Sequence, residues 1–405
     1  MKLYYSIFIL FFLSFTPTFA QENPFTFKWD NGFKLESQDK AFKLKFGGRV
    51  MVDHASFSQN DALDATFGPL ETENGTEIRR GRFFISGLIY QNIEFKIDVD
   101  LTGGKTTLKD AYIGIKDIPV IGNLRIGSVK EPFGIEVLTS SKYISLMERA
   151  LPISFTPVRN SGIILFNDFL NKRLSAQFGA FRNADANGND IAANDGYSIT
   201  TRVTGLAINN TEKKQLLHLG IGYSFRKKDT KEYKISSRPE AHLGPKYIST
   251  GTLRNVDDTQ LFNIGAAFVS GSFSFQTEFI NAKINTGNLS PVNGYSFSSY
   301  YGQVSYFLTG ESKRYKSSYS GFDRIKPKKN FSGKNSGPGA WEVAFRYSTS
   351  DLNSKDVFGG EQDNITLGVN WYLNPATRIM LNHVWADIKG LGNAAILQAR
   401  VQVDF

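Results

Sequence analysis

Over the last eleven residues, 395–405, apolar and polar side chains alternate almost without a break. Ala395, Leu397, Ala399, Val401, Val403 and Phe405 share one face and Gln398, Arg400, Gln402 and Asp404 the other, the period of two expected of a strand with hydrocarbon on one side and water on the other. The same period recurs upstream. Phe42, Leu44, Phe46, Val50 and Val52 oppose Lys43, Lys45, Arg49 and Asp53; Phe83, Ile85 and Ile89 oppose Arg80, Arg82 and Ser86; Phe95, Ile97, Val99 and Leu101 interleave with Glu94, Lys96, Asp98 and Asp100. The chain reads as about sixteen such segments with no amphipathic helix among them. Their lengths suit tilted strands crossing a bilayer, about nine to eleven residues each.

The connections carry a second pattern. Long ones, at roughly 56–76, 132–160, 183–195, 227–258, 285–297 and 352–363, interleave with tight ones at 91–92, 118–122, 168–172, 209–214, 270–272 and 374–375. One end of the molecule is therefore expected to carry loops and the other turns, as in a transmembrane antiparallel β-barrel. Segment 310–340 breaks the rule: it is long, falls on the turn side, and holds eight basic residues against Glu311 and Asp323.

The N-terminus changes the expected compartment. Lys2 precedes an apolar run, Ile7 to Phe15, too short to span a bilayer, and Thr18-Phe19-Ala20 reads as a small-residue cleavage site. The expected organisation is a removed signal peptide at 1–20, a periplasmic segment at 21–39 and an outer-membrane barrel at 40–405. With no cysteine in 405 residues, stability must come without disulfides, which suits a closed ladder of strands. No later apolar stretch is long enough for a membrane helix. The 34 Phe, 17 Tyr and 37 Gly fit aromatic girdles and tight turns, and a net charge of +9 suggests anionic company.

Several spaced motifs, Phe46-Gly47-Gly48-Arg49, Arg79-Arg80-Gly81-Arg82, Thr139-Ser140-Ser141-Lys142 with Met147-Glu148-Arg149, Leu308-Thr309-Gly310-Glu311 with Ile325-Lys326-Pro327, and Gly339-Ala340-Trp341-Glu342, occur in the order found in phosphate-selective outer-membrane porins. The chain resembles that porin O and P family over nearly its whole mature length. The resemblance implies a sixteen-stranded barrel, a homotrimer, and a third extracellular loop folded into the lumen. The loop at 132–160 is the third on its side. By the same resemblance Arg49, Arg79 and Arg80 match residues lining the entrance, Arg149 with Ser140 and Ser141 match the inner loop, and Lys40, Lys316, Lys326 and Asp110 match charged positions near the narrowest point.

Alternation along the strands independently turns Arg49, Arg80, Arg82 and Asp110 inward, but leaves Arg79 and Lys40 on the outward parity. An anion path needs fixed cations along a polar channel, and arginine forks suit oxyanions particularly well. One departure stands out. Phosphate-selective members place a lysine three residues before the Ser-Ser pair, where this chain has Val137, so a broader anion pore is expected.

Plainer readings exist for several of these charges. Lys96 beside Asp98 and Asp100 fits a wall ion pair, 310–340 fits a solvated turn as well as a segment dipping into the pore, and the cluster from Arg226 to Lys234 suits lipopolysaccharide phosphates as well as passing anions. The four histidines show neither metal spacing nor a nucleophile pattern, so no enzyme activity and no cofactor are expected. The expected partners are small anions (phosphate, other oxyanions, chloride), outer-membrane lipid and lipopolysaccharide, the barrel-assembly machinery through Phe405, and further copies in a homotrimer; nucleic acid is not expected. A general-diffusion porin, or a barrel serving as adhesin or scaffold, is the alternative.

Overall fold

The computed structural model describes residues 25–30, 32–71, 73–185, 187–188, 196–288, 290–331 and 337–405; the expected signal peptide lies outside them. In chain order the strands are β1 Phe25–Trp29, β2 Phe33–Ser37, β3 Lys43–Gln59, β4 Asn74–Ile89, β5 Ile93–Asp100, β6 Thr107–Ile118, β7 Gly122–Lys130, β8 Arg159–Phe169, β9 Leu174–Arg182, β10 Tyr197–Asn210 and β11 Gln215–Lys227. They continue as β12 Ser236–Ser237, β13 Ile248–Ser249, β14 Val256–Ser270, β15 Phe273–Thr286, β16 Tyr295–Phe307, β17 Tyr315–Ser317, β18 Gly321–Phe322, β19 Ala340–Ser354, β20 Val357–Tyr372, β21 Thr377–Ile388 and β22 Gly392–Asp404. Two short helices lie in loops, α1 Asp61–Phe67 and α2 Ile135–Leu138.

Successive strands pair antiparallel, and β22 returns to β3 from Ala394↔Gln59 to Asp404↔Arg49, closing a barrel. The main sheet has 18 strands, of which β1 and β2 are a hairpin added beside β3; the other sixteen form the wall. Closure leaves no unpaired edge in the hydrocarbon, the condition for strands to cross a bilayer. The segment at 25–37 is thus ordered sheet, with Phe33 opposite Phe46.

The alternation read from the sequence is the alternation of the wall. Phe83, Ile113, Val401 and Val403 face outward with 40–65% of their surface exposed, whereas Gln398, Arg400, Gln402 and Asp404 are buried inside. The seam is tight. Gly48 N–H donates to the Phe405 carbonyl (2.6 Å) and Phe405 N–H to the Gly48 carbonyl (3.1 Å). A Cβ on Gly48 would come within 2.6 Å of the Arg82 carbonyl and 2.8 Å of the Phe405 ring, so only glycine admits this approach.

Three elements differ from the sequence reading. The long connection at 352–363 is a two-residue turn, because β19 and β20 pair up to Ser354↔Val357; polar strand ends projecting beyond the membrane resemble a loop in sequence. The loop at 56–76 shortens to 60–73 and contains α1, whose first turn is capped by the Asn60 side chain accepting from Leu63 N–H (3.2 Å). Finally, inward positions of β14–β16 are locally apolar: Leu261, Ile280, Ile284 and Phe297 pack with Phe133 and Phe155 from the connection between β7 and β8. That stretch of wall is the floor on which an inner loop rests.

Candidate functional site

The connection 131–158 lies inside the barrel, held main chain to side chain by the wall opposite its origin. Arg378 donates to the Ile144 carbonyl (2.7 Å), Asn370 to that of Ser145 (2.7 Å), Arg400 to that of Met147 (2.6 Å) and Arg346 to that of Glu148 (3.0 Å). These inward arginines are almost wholly buried; they satisfy carbonyls that a loop removed from water would otherwise leave unpaired. At its other end the loop begins with α2, whose Ile135 and Glu136 N–H groups donate to the Glu278 carboxylate (2.7 and 3.0 Å). A carboxylate across two free N–H groups is the favourable charge for a helix start.

The connection between β16 and β19 enters from the opposite end, where the turns are short. Its hairpin of β17 and β18 presents Ser318 to Gln177 (2.6 Å), Arg202 (2.8 Å, to the carbonyl) and Thr204 (2.6 Å). Tyr319 stacks on Phe166 at 4.9 Å, with the Arg125 guanidinium 4.9 Å from its ring. Phe322 N–H donates to Thr139 Oγ1 (3.3 Å), so the two inserted segments meet. Farther along, Arg324 pairs with Asp404 of β22.

Where they meet lies a cavity of about 400 Å³ lined by nine Lys and Arg side chains and two aspartates, Asp98 and Asp110. Most of the cations are paired. Arg82 holds Asp100 at 2.7 Å, Lys96 holds Asp110 at 2.5 Å, Arg159 holds Asp110 at 2.7 Å and Arg125 holds Glu94 at 2.6 Å. Arg79 grips Glu148 through two bonds (2.8 and 3.0 Å), with Arg80 at 3.6 Å and Arg400 at 3.0 Å. Burial works against the Glu148 charge, but these guanidinium groups outweigh it and hold its carboxyl well below the usual carboxylate range.

Four lining cations are freer. Arg49 meets the Ser141 and Ser140 hydroxyls (2.9 and 3.3 Å) and only the distant Asp98 at 3.9 Å. Arg149 spends its donors on the carbonyls of Glu136 (3.0 Å) and Thr139 (2.8 Å). Lys130 donates to the carbonyls of Val137 and Leu138, and Lys316 lines the cavity from the hairpin of β17 and β18. Among the described residues Lys130, Arg149 and Lys316 have no carboxylate partner. Serine hydroxyls and guanidinium groups around one space can hold an oxyanion by charge-assisted hydrogen bonds.

Of the residues expected from the sequence, Arg49, Arg80, Arg82, Asp110, Ser140, Ser141, Arg149 and Lys316 converge on this cavity. Arg79 joins through a bulge: the register of β3 with β4 jumps between Met51↔Arg80 and Val52↔Ile78, and the extra residue turns Arg79 to Glu148 on the inside. Lys40 does not reach it. It is exposed at the turn between β2 and β3, with φ 58°, because the hairpin continues β3 beyond the wall. Lys326 lies beyond the Arg324 anchor and lines a separate basic opening with Lys313 and Lys328. Lys96 is the wall ion pair that its acidic neighbours suggested. Lys130, Arg125 and Arg159 line the cavity without having been singled out; Lys130 shares the parity of the outward-facing Ile126 and carries no motif, so alternation gave no sign that it reaches the interior. Among the described residues no three His, Asp or Glu side chains come together in a way that could hold a metal ion.

Residues 47–405 match the family model for phosphate-selective porin O and P. Porin O of Pseudomonas aeruginosa is 27% identical over 403 residues, covering 90% of this chain and 88% of that protein. Among solved structures, the anion-selective porin of Comamonas acidovorans superposes with a TM-score of 0.57 at 12% identity, over 90% of this chain and all of that one. Outer-membrane expressed OmpT of Vibrio cholerae gives a TM-score of 0.55 at 10% identity, over 89% and 98% of the two chains; both show the fold.

Proposed function

This chain belongs to the phosphate-selective porin O and P family, and from that premise we propose that it passes small anions, phosphate and related oxyanions among them, by passive diffusion across the outer membrane. The observation that carries the proposal is the charge around the meeting point of the two inserted segments: nine cationic side chains against two aspartates, with Lys130, Arg149 and Lys316 lacking a carboxylate partner among the described residues. In a narrow passage such fixed charges replace part of an anion's hydration and exclude cations. The inner loop would form the constriction, with Arg49, Ser140, Ser141 and Arg149 as its oxyanion ligands and Asp110 ordering Lys96 and Arg159.

Residues 1–20 direct export and are removed, Phe405 marks the chain for barrel assembly, and the mature protein forms a trimer. The test is the reversal potential of purified protein in planar bilayers under a salt gradient. An anion preference is expected, shrinking as ionic strength rises and the Debye length falls from about 10 Å at 0.1 M to about 3 Å at 1 M. A cation preference overturns the proposal, and absence of conductance favours the scaffold alternative.

A further inference from the structure

The departure at Val137 acquires a counterpart in the structure. Val137 lines the cavity, and its backbone carbonyl accepts from Lys130 Nζ at 2.6 Å while Leu138 accepts from the same ammonium at 3.0 Å. Lys130 is the last residue of β7, so its backbone belongs to the barrel wall and its charge is delivered to the inner loop across the gap. An ammonium has three donors. Two are spent on these carbonyls, and Lys130 is itself a lining residue of the cavity, leaving the third donor for whatever occupies it. The two carbonyls close α2, where a cation complements the helix dipole, so the ammonium has a reason to stay. Of the cations that bear on it, Lys96 and Arg159 share Asp110, with Asp98 also 3.3 Å from Lys96, whereas Lys130, like Arg149, meets no carboxylate among the described residues.

We propose that Lys130 is a selectivity-determining residue of this pore: the wall strand, not the inner loop, supplies the cation that a passing oxyanion meets at the Val137 position. This inference rests on the anion-porin reading above. It changes what Val137 implies, because the apolar side chain leaves room for a charge arriving from the wall instead of depriving the passage of one. A lysine at 137 beside Lys130 would place two ammonium groups on one spot and add little.

The experiment measures reversal potentials and the block of chloride current by inorganic phosphate in planar bilayers, for the natural protein and four variants. Lys130→Gln keeps hydrogen-bond donors for the two carbonyls but removes the charge; it should raise the half-blocking phosphate concentration about five- to tenfold and lower the anion-to-cation permeability ratio. Lys130→Met should do the same, and Lys130→Arg should retain both properties. In Lys130→Met/Val137→Lys a cation returns from the loop side, and block should recover to within about twofold of the natural protein. If Lys130→Gln and Lys130→Met leave both readouts unchanged in an anion-selective natural pore, Lys130 only tethers the loop and the proposal is overturned. Failure of the double variant to recover block also overturns it. A natural protein without anion preference would instead remove the functional reading beneath it. Folding of each variant is checked by heat-modifiable mobility, and if Lys130→Met does not assemble, Lys130→Gln decides alone.

Discussion

Individual side chains of this pore divide by partner more than by type. Arg346, Arg378 and Arg400 point inward as alternation requires, yet each gives a donor to an inner-loop carbonyl, Arg346 also pairs with Glu240 and Arg400 with Asp53 and Glu148, and they have little left for an ion. Arg49 and Arg149 line the cavity; Arg49 meets chiefly the Ser140 and Ser141 hydroxyls, and Arg149, though it too gives donors to carbonyls, has no carboxylate within ion-pair distance among the described residues. Glu136 is the residue whose protonation should be visible in the current. Burial pushes its carboxyl up to about 7, with Arg346 pulling the other way, and its backbone carbonyl holds Arg149. Below that pH Glu136 is neutral and adds no negative charge beside Arg149; above it the carboxylate offsets the cations. Anion preference should therefore fall as pH rises from about 6 to about 8, and Glu136→Gln should flatten this step. Lys142, pushed down to about 8 by burial against the pull of Asp404, loses its charge in a later step of the same sign. Reversal potentials recorded across this range, with and without Glu136→Gln, check the assignment; an unchanged step in the variant removes Glu136 as its source.

At the level of elements, the passage is made by two insertions that enter from opposite ends and touch at Phe322 and Thr139. Deleting 315–322 and bridging the gap with glycine should widen the pore, because the hairpin carries Lys316, Tyr319 and Phe322 of the lining. Single-channel conductance should rise by roughly twofold or more while phosphate block weakens; unchanged conductance would mean that the hairpin does not narrow the path. The seam offers a second test. Gly48→Ala puts a methyl against the Arg82 carbonyl and the Phe405 ring, an overpacking that costs about 1–3 kcal/mol. Assembly in detergent or vesicles should slow and the heat-modifiable transition should shift downward. The sequence exposed the existence and parity of these strands because alternation is a local property. It could not expose the bulge at Arg79, since a register jump is defined only against the neighbouring strand.

For the molecule as a whole, the outer surface obeys the bilayer and the inner surface obeys the loops. Val401→Asp puts a charge on the hydrocarbon side of the closing strand, where burial in lipid costs up to a few kcal/mol near the midplane. The folded fraction after refolding into vesicles should drop, whereas a change at an outer loop tip such as Asp356→Asn should leave it unaltered; equal yields would contradict the lipid-facing assignment. By itself the sequence determined the sixteen-fold alternation, the side on which each strand meets lipid, the loop-and-turn asymmetry and most of the charged inward positions, because a bilayer imposes a period of two on every crossing strand. Which of those charges remain available to an ion was decided only by the tertiary structure. Pairing of Arg82 with Asp100, the turning of Arg79 through its bulge, and the reach of Lys130 from the wall to Val137 depend on how neighbouring strands and the inserted loop are brought together in space, and the alternation along one strand does not carry those distances.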